Sequence, residues 1–167
     1  IGAVLTLIVF TKIKKLSFFS MADTGVLGLI LGQIIGRWGN FFNQEAFGGA
    51  VSLDFLKSLH LPEFIINGMY INGQYYHPTF LYESIVNIIG FFVIYFLIRK
   101  IQTKQGEQFF SYFIWYGFFR FFIEGLRTDS LYFMGLKTAQ LVSIAFVLVG
   151  ITGYVYCKKT GKSAIKA

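Results

Sequence analysis

Long apolar runs closed by basic clusters constrain this chain more than any other feature. Residues 1–11, 18–36, 78–98, 109–126 and 138–157 are each dominated by Ile, Leu, Val, Phe and Gly. About 20 such residues in a helix cross the hydrocarbon of a bilayer. In lipid, every backbone N–H and C=O must be satisfied within the protein, which leaves helices as the natural spanning form. The composition agrees: 55% of the residues are hydrophobic and 14% charged, against about 25% charged in ordinary soluble domains. The reading is an all-α integral membrane protein. It is a single transmembrane domain at 1–167, a helical bundle of about five spans, the first one partial. Residues 37–77 form a small segment outside the bundle. There Asn72-Gly73 lies between Met69-Tyr70-Ile71 and Tyr75-Tyr76, a hairpin signature. Two prolines and one cysteine offer no disulfide framework, and Cys157 reads as a boundary residue of the last span. The chain is apolar from Ile1, with neither an initiator Met nor a basic leader. It is therefore expected to be a fragment whose first helix begins upstream.

The distribution of charge orients the bundle. Lys12, Lys14 and Lys15 close the first span, Arg99, Lys100 and Lys104 the third, and Lys158, Lys159, Lys162 and Lys166 the last. Alternating spans put all three clusters on one side, and the positive-inside rule makes that side cytoplasmic, with the C terminus. The net charge of +7 thus belongs to membrane topology, and no nucleic-acid partner is expected. The same alternation brings residues 36–48, 77–83 and 120–127 together at the outer leaflet.

Those three stretches hold the polar chemistry. In the first, Gly32, Gly36, Gly39 and Gly48 are threaded with Arg37, Asn40, Asn43, Gln44 and Glu45. A helix continuing through residue 45 places Arg37, Asn40 and Glu45 roughly on one side, while the glycines equally allow irregular backbone. Arg37 beside Trp38 suits an interfacial anchor. Together with the asparagines it suits a phosphate-bearing headgroup, because a guanidinium fork matches phosphate oxygens. Arg120, Glu124 and Arg127 recur at i, i+4 and i+7, on one helix face. An arginine at mid-membrane costs about 2.5–3.5 kcal/mol on insertion scales. Glu124 or a bound anion must offset it, and a snorkelling structural ion pair accounts for the same residues. His77-Pro78-Thr79 followed by Tyr82-Glu83 reads first as helix-start chemistry. His77 as a base, with Tyr82 or Glu83 as its hydrogen-bonding partner, is the functional reading. His60 has no partner in the sequence and reads as surface. Neither histidine has metal-ligand spacing, so no metal and no cofactor are expected. A transporter or flippase for an anionic lipid, and a structural protein in which the ion pairs only join helices, remain open on these residues.

The motifs carry a resemblance. GRWGNFFNQEAFG (residues 36–48) resembles the G-R-x-G-N-F-x-N-x-E-x-x-G hallmark of prolipoprotein diacylglyceryl transferases. HPTFLYE (77–83) and RFFIEGLRTD (120–129) are similar to two further elements of that family, in the same order. Phe80 stands where many members have Gln. The resemblance implies an enzyme of the bacterial cytoplasmic (inner) membrane, its active site facing the outer leaflet. Such an enzyme moves the diacylglyceryl group of phosphatidylglycerol to the lipobox cysteine of a prolipoprotein, releasing glycerol phosphate. Its partners would be phosphatidylglycerol, the lipobox segment and membrane lipids. It implies substrate binding by Arg37, Asn40, Asn43, Gly48, His77, Tyr82 and Glu83. It implies catalytic roles for Arg120, Glu124, Arg127 and Glu45, the last fixing the 36–48 turn or orienting Arg37. The family also has an N-terminal His-Gly-Gly element, absent here. The expectation is that the general base lies upstream and that this chain alone is inactive.

Overall fold

The computed structural model describes residues 2–128, 130–133 and 135–164. Helix α1 (Gly2–Ile13) leads through a short turn into α2 (Phe18–Phe42), the longest helix. Then come strand β1 (Ala50–Val51), the short helices α3 (Leu53–Ser58) and α4 (Glu63–Gly68), and strands β2 (Tyr70–Ile71) and β3 (Gln74–Tyr76). Helix α5 (Thr79–Phe92) continues through a π-helical stretch (Val93–Ile98) into α6 (Arg99–Ile101). Helix α7 (Glu107–Leu126), strands β4 (Tyr132–Phe133) and β5 (Leu136–Lys137) and helix α8 (Thr138–Thr160) complete the chain. Among the described residues three helices are long and apolar enough to cross a membrane: Phe18–Phe42, Thr79–Ile101 and Thr138–Thr160. Gly2–Ile13 is shorter, and α7 carries Glu107, Arg120 and Glu124 in its apolar sequence. Large apolar side chains such as Ile35, Phe42, Phe96 and Leu148 stand exposed along these helices, as lipid-facing residues do.

Helix α2 runs past residue 36, the end that its run of apolar residues suggests. Gly32, Gly36 and Gly39 lie in regular helix, and the chain breaks only after Phe42. There Gln44 and Ala46 take positive φ and the Glu45 N–H bonds to the Asn40 carbonyl. An apolar environment supplies no competing hydrogen bonds, so glycines that would fray a helix in water are held in it.

Helices α7 and α8 lie close together because small residues let them. A Cβ on Gly117 would stand 2.7 Å from the Ser143 carbonyl oxygen, and one on Gly150 would stand 2.9 Å from the Ile114 nitrogen. Such near approach of backbones is the usual basis of helix association in lipid. Val26 and Ile30 of α2 pack with Ile94 and Tyr112 in a buried cluster, and Trp115 donates from Nε1 to the Val86 carbonyl at 3.1 Å, tying α7 to α5. At the α7 N terminus the Asp23 carboxylate of α2 accepts from the amides of Gly106 (2.7 Å) and Phe109 (2.9 Å). This satisfies donors that a helix start leaves unpaired.

Residues 44–78 form a cap on one end of the bundle. Strands β1, β3 and β2 make an antiparallel sheet in that order, with Tyr70 opposite Tyr75 across Asn72 and Gly73, both at positive φ. Phe41, Leu56, Ile65, Ile66, Met69 and Phe80 are buried beneath it. Phe80 belongs to this core, its ring 4.6 Å from that of Phe41 and 5.3 Å from that of Trp38. The two-stranded β4–β5 sheet and the helices α3 and α4 lie outside what the sequence reading foresaw. At the opposite end, the start of α2, residues 102–106 and the end of α8 come together: Gly106 packs against Phe19 and Cys157, and the Ala164 N–H bonds to the Thr103 carbonyl.

Candidate active site

Three chain segments meet at Gly48 through their backbones. The Gly48 N–H donates to the His77 carbonyl (3.0 Å), the His77 N–H to the Gly49 carbonyl (3.0 Å), and the Gly49 N–H to the Leu126 carbonyl (2.9 Å). Gly48 also faces Arg127 as an isolated antiparallel bridge. A Cβ at Gly48 would lie 2.6 Å from the His77 Cβ and 3.1 Å from both the Leu126 oxygen and the Thr79 Cγ2. Only glycine fits without something moving. The Thr79 hydroxyl adds a bond to the Ala46 carbonyl at 2.7 Å. The stretches 36–48, 77–83 and 120–127 are therefore neighbours in space.

The side chains converge on Glu83. Its carboxylate, 5% exposed, receives Arg37 Nε at 2.9 Å and Arg120 Nη1 at 2.5 Å. Arg120 turns its other terminal nitrogen to Glu124, 2.6 Å from Oε2. The other oxygen of Glu124 accepts from the Ser130 hydroxyl at 2.6 Å, and Arg127 Nε approaches Glu124 at 4.0 Å. In a low-dielectric setting each charge needs its partners in place. Among the described residues Arg37 engages the protein's carboxylates through Nε alone. Lys137 closes the C-terminal end of α7, its Nζ bonding to the carbonyls of Glu124, Gly125 and Arg127, a favourable place for a cation. Beside this cluster a cavity of about 550 Å³ opens between α7 and α8. Arg120, Glu124, Arg127 and Ser130 line its polar end, and Val142 and Phe146 its apolar wall. That combination suits an amphiphile with a phosphate at the arginines and hydrocarbon along α8.

His77 Nδ1 stands 3.2 Å from the Tyr82 hydroxyl, and the ring of Phe55 packs edge-on against the imidazole. Burial pushes the His77 pKa below its ordinary value, favouring the neutral ring.

The sequence reading of Glu83 as helix-start chemistry gives way to a different role, since Glu83 is buried and bridges Arg37 to Arg120. Glu45 does not orient Arg37. Residue 45 falls beyond the end of α2, is exposed, and takes a bond from the Asn43 side chain at 3.3 Å, so it acts within the turn. Asn40 serves that turn through its carbonyl. His60 is exposed. Asp129, the last residue of the third motif, and Lys166 lie outside the described residues. Ser130 and Lys137 were missed. A basic residue in the connection after a helix, able to reach back to its last carbonyls, was the available signal for Lys137.

Fold and site define a helical membrane protein with a buried arginine–carboxylate cluster that borders a cavity between α7 and α8. The chain matches the prolipoprotein diacylglyceryl transferase family over residues 1–156. It is 53% identical over 169 residues to the phosphatidylglycerol–prolipoprotein diacylglyceryl transferase of Lysinibacillus sphaericus, covering 99% of this chain and 62% of that protein. The proteins of the same name from Bacillus cytotoxicus (51% identity; 98% of this chain, 60% of the relative) and Listeria monocytogenes serovar 1/2a (54%; 93% and 56%) are similar in kind. The chain belongs to the prolipoprotein diacylglyceryl transferase family. It spans about 60% of the length of these relatives.

Proposed function

We propose that the protein to which this chain belongs transfers the diacylglyceryl group of phosphatidylglycerol to the thiol of a prolipoprotein lipobox cysteine. The observation that carries this reading is the Arg37–Glu83–Arg120 bridge. It fixes two guanidinium groups from distant segments in one buried place, beside a cavity of amphiphile shape. In the reaction the cysteine sulfur, as thiolate, attacks the glyceryl carbon that bears the phosphate ester. The C–S bond forms as the C–O bond breaks, and the electron pair leaves on glycerol phosphate. The thiol proton passes to a base that the family resemblance places upstream of this chain. Arg37 binds the phosphate, with Asn40 and Asn43 assisting. Arg120 meets the negative charge that grows as the phosphate departs, where fixed donors act most strongly. Glu124 and Arg127 orient Arg120. Gly48, His77 and Tyr82 shape the floor, and Glu45 holds the turn that carries the asparagines.

The bundle is read as multi-pass in the bacterial inner membrane. Lys12, Arg99, Lys104 and Lys158 gather at the end remote from the cluster, which supports a cytoplasmic C terminus and an active site at the outer leaflet.

The test is mass spectrometry of a lipobox peptide incubated with phosphatidylglycerol and either the whole protein or this chain. A diacylglyceryl increment on cysteine from the whole protein, and none from this chain, is expected. A folded whole protein that adds no increment overturns the reading. An increment from both would place the full catalytic set within residues 37–127.

A further inference from the structure

The other end of the bundle holds a second polar cavity, of about 540 Å³, which the transferase reading does not use. It lies some 21 Å along α2 from Arg37, taking Asp23 as its marker and a helix rise of about 1.5 Å per residue. Its inner wall is a chain of amides whose orientation is fixed. A backbone carbonyl only accepts hydrogen bonds, so the group 2.7 Å from the Lys104 oxygen must be the Gln102 nitrogen, which also donates to Asp23 at 2.6 Å. That turns the Gln102 oxygen toward Gln108, whose nitrogen donates to it at 2.6 Å. The Gln108 oxygen is then left pointing away. It is buried and has no hydrogen-bond partner, although Gln108 itself is 6% exposed and lines the cavity. A buried acceptor without a donor is costly. Asp23 offers it no donor, since its oxygens are acceptors, bonded by Gln102, Gly106 and Phe109.

The mouth of the cavity is cationic and apolar at once. Arg99 and Lys100 line it, both exposed, and among the described residues neither pairs with a carboxylate. The Arg99 guanidinium is held over the Tyr95 ring, 5.4 Å from its centroid. Tyr95 and Phe96 present their rings at the same rim, on a helix long and apolar enough to cross a membrane. Unpaired cations ask for an anion, the Gln108 oxygen asks for a hydroxyl or other donor, and the exposed rings border acyl chains.

We propose that this cavity binds the headgroup of an anionic, hydroxyl-bearing phospholipid from the leaflet opposite the candidate active site. Arg99 and Lys100 hold its phosphate, and a headgroup hydroxyl donates to Gln108. Basic pockets between helices are a recurrent form of lipid recognition. The site is separate from the transferase cluster, and neither reading depends on the other.

The test is native mass spectrometry of the whole protein released from nanodiscs of phosphatidylglycerol and phosphatidylcholine. The wild type is compared with Arg99→Gln/Lys100→Gln, with Gln108→Met, and with Arg37→Gln as a control at the other end. The Arg99→Gln/Lys100→Gln protein is expected to retain one phosphatidylglycerol fewer than the wild type. Its affinity should fall about tenfold or more, as loss of charge-assisted hydrogen bonds implies. Gln108→Met should weaken retention by about fivefold, and the Arg37→Gln protein should keep this lipid. Transfer activity of the Arg99→Gln/Lys100→Gln protein should stay near wild type. Equal retention in all proteins overturns the proposal. So does displacement of the lipid by submillimolar soluble glycerol phosphate, which would make the ligand a free phosphate instead.

Discussion

At the scale of single residues, Glu83 holds the candidate site together. It is the common partner of two arginines that are 20% and 13% exposed, and removing one member of a buried ionic set costs about 3–5 kcal/mol. Glu83→Gln should therefore lower the thermal midpoint in detergent sharply and reduce transfer by roughly 100-fold, since small displacements of positioning groups cost that much. The double variant Arg37→Gln/Glu83→Gln should be less destabilised than the two single changes summed, and strict additivity would show that the bridge is idle. His77 makes a prediction of the opposite kind. Its folded pKa lies below the unfolded value, so the unfolded chain takes up the proton first as pH falls. Stability from this residue is complete above about pH 6.5 and declines below it. Unfolding midpoints between about pH 8 and about pH 5 should fall toward acid, and His77→Gln should flatten that slope. The Glu83 bridge was hidden in the sequence because its partners lie far away in both directions. One clue was present: two arginines in apolar surroundings need more than the single carboxylate of Glu124.

At the scale of elements, the α7–α8 seam depends on glycine. Gly150→Val would drive a side chain into the Ile114 nitrogen and the Phe110 carbonyl, at 2.9 and 3.0 Å from the first added carbon. A loss of about 1–3 kcal/mol follows from such overpacking. Gly28→Ala, where nothing lies within 4 Å, should be neutral or slightly stabilising by helix propensity. Thermal unfolding of the two variants side by side checks both. The apolar helices were legible because uninterrupted hydrophobicity over 20 residues has few other outcomes. Their ends were less so. Residues 37–42 carry an arginine and an asparagine, and only the neighbouring helices decide that they stay coiled. Strands of two or three residues, such as β1 and β4, leave almost no periodic signal, because tertiary contacts define them. The meeting of the three polar stretches was legible from alternation of the spans, but the backbone ladder at Gly48 that fastens them was not.

At the scale of the whole molecule, basic residues collect at one end and the arginine–glutamate cluster at the other. A cysteine placed at exposed Gln44, with buried Cys157 replaced by serine, should react with an impermeant maleimide from outside intact cells. A tag at the C terminus should be reached only after lysis, and the reverse pattern would invert the proposed orientation. The order of the charged residues along the chain also bears on how the protein is made. Synthesis delivers Arg37 first, Glu83 next, and Arg120 together with Glu124 last. Each arginine therefore waits only for the carboxylate that follows it, and the nascent bundle never holds more than one of these charges without its counterpart. A chain cut short between residues 60 and 80 strands Arg37 in that unpaired condition. Pulse–chase turnover should find it cleared by membrane proteases faster than a chain extended past Glu83, so that the pairing also sets when the newborn protein becomes safe from degradation.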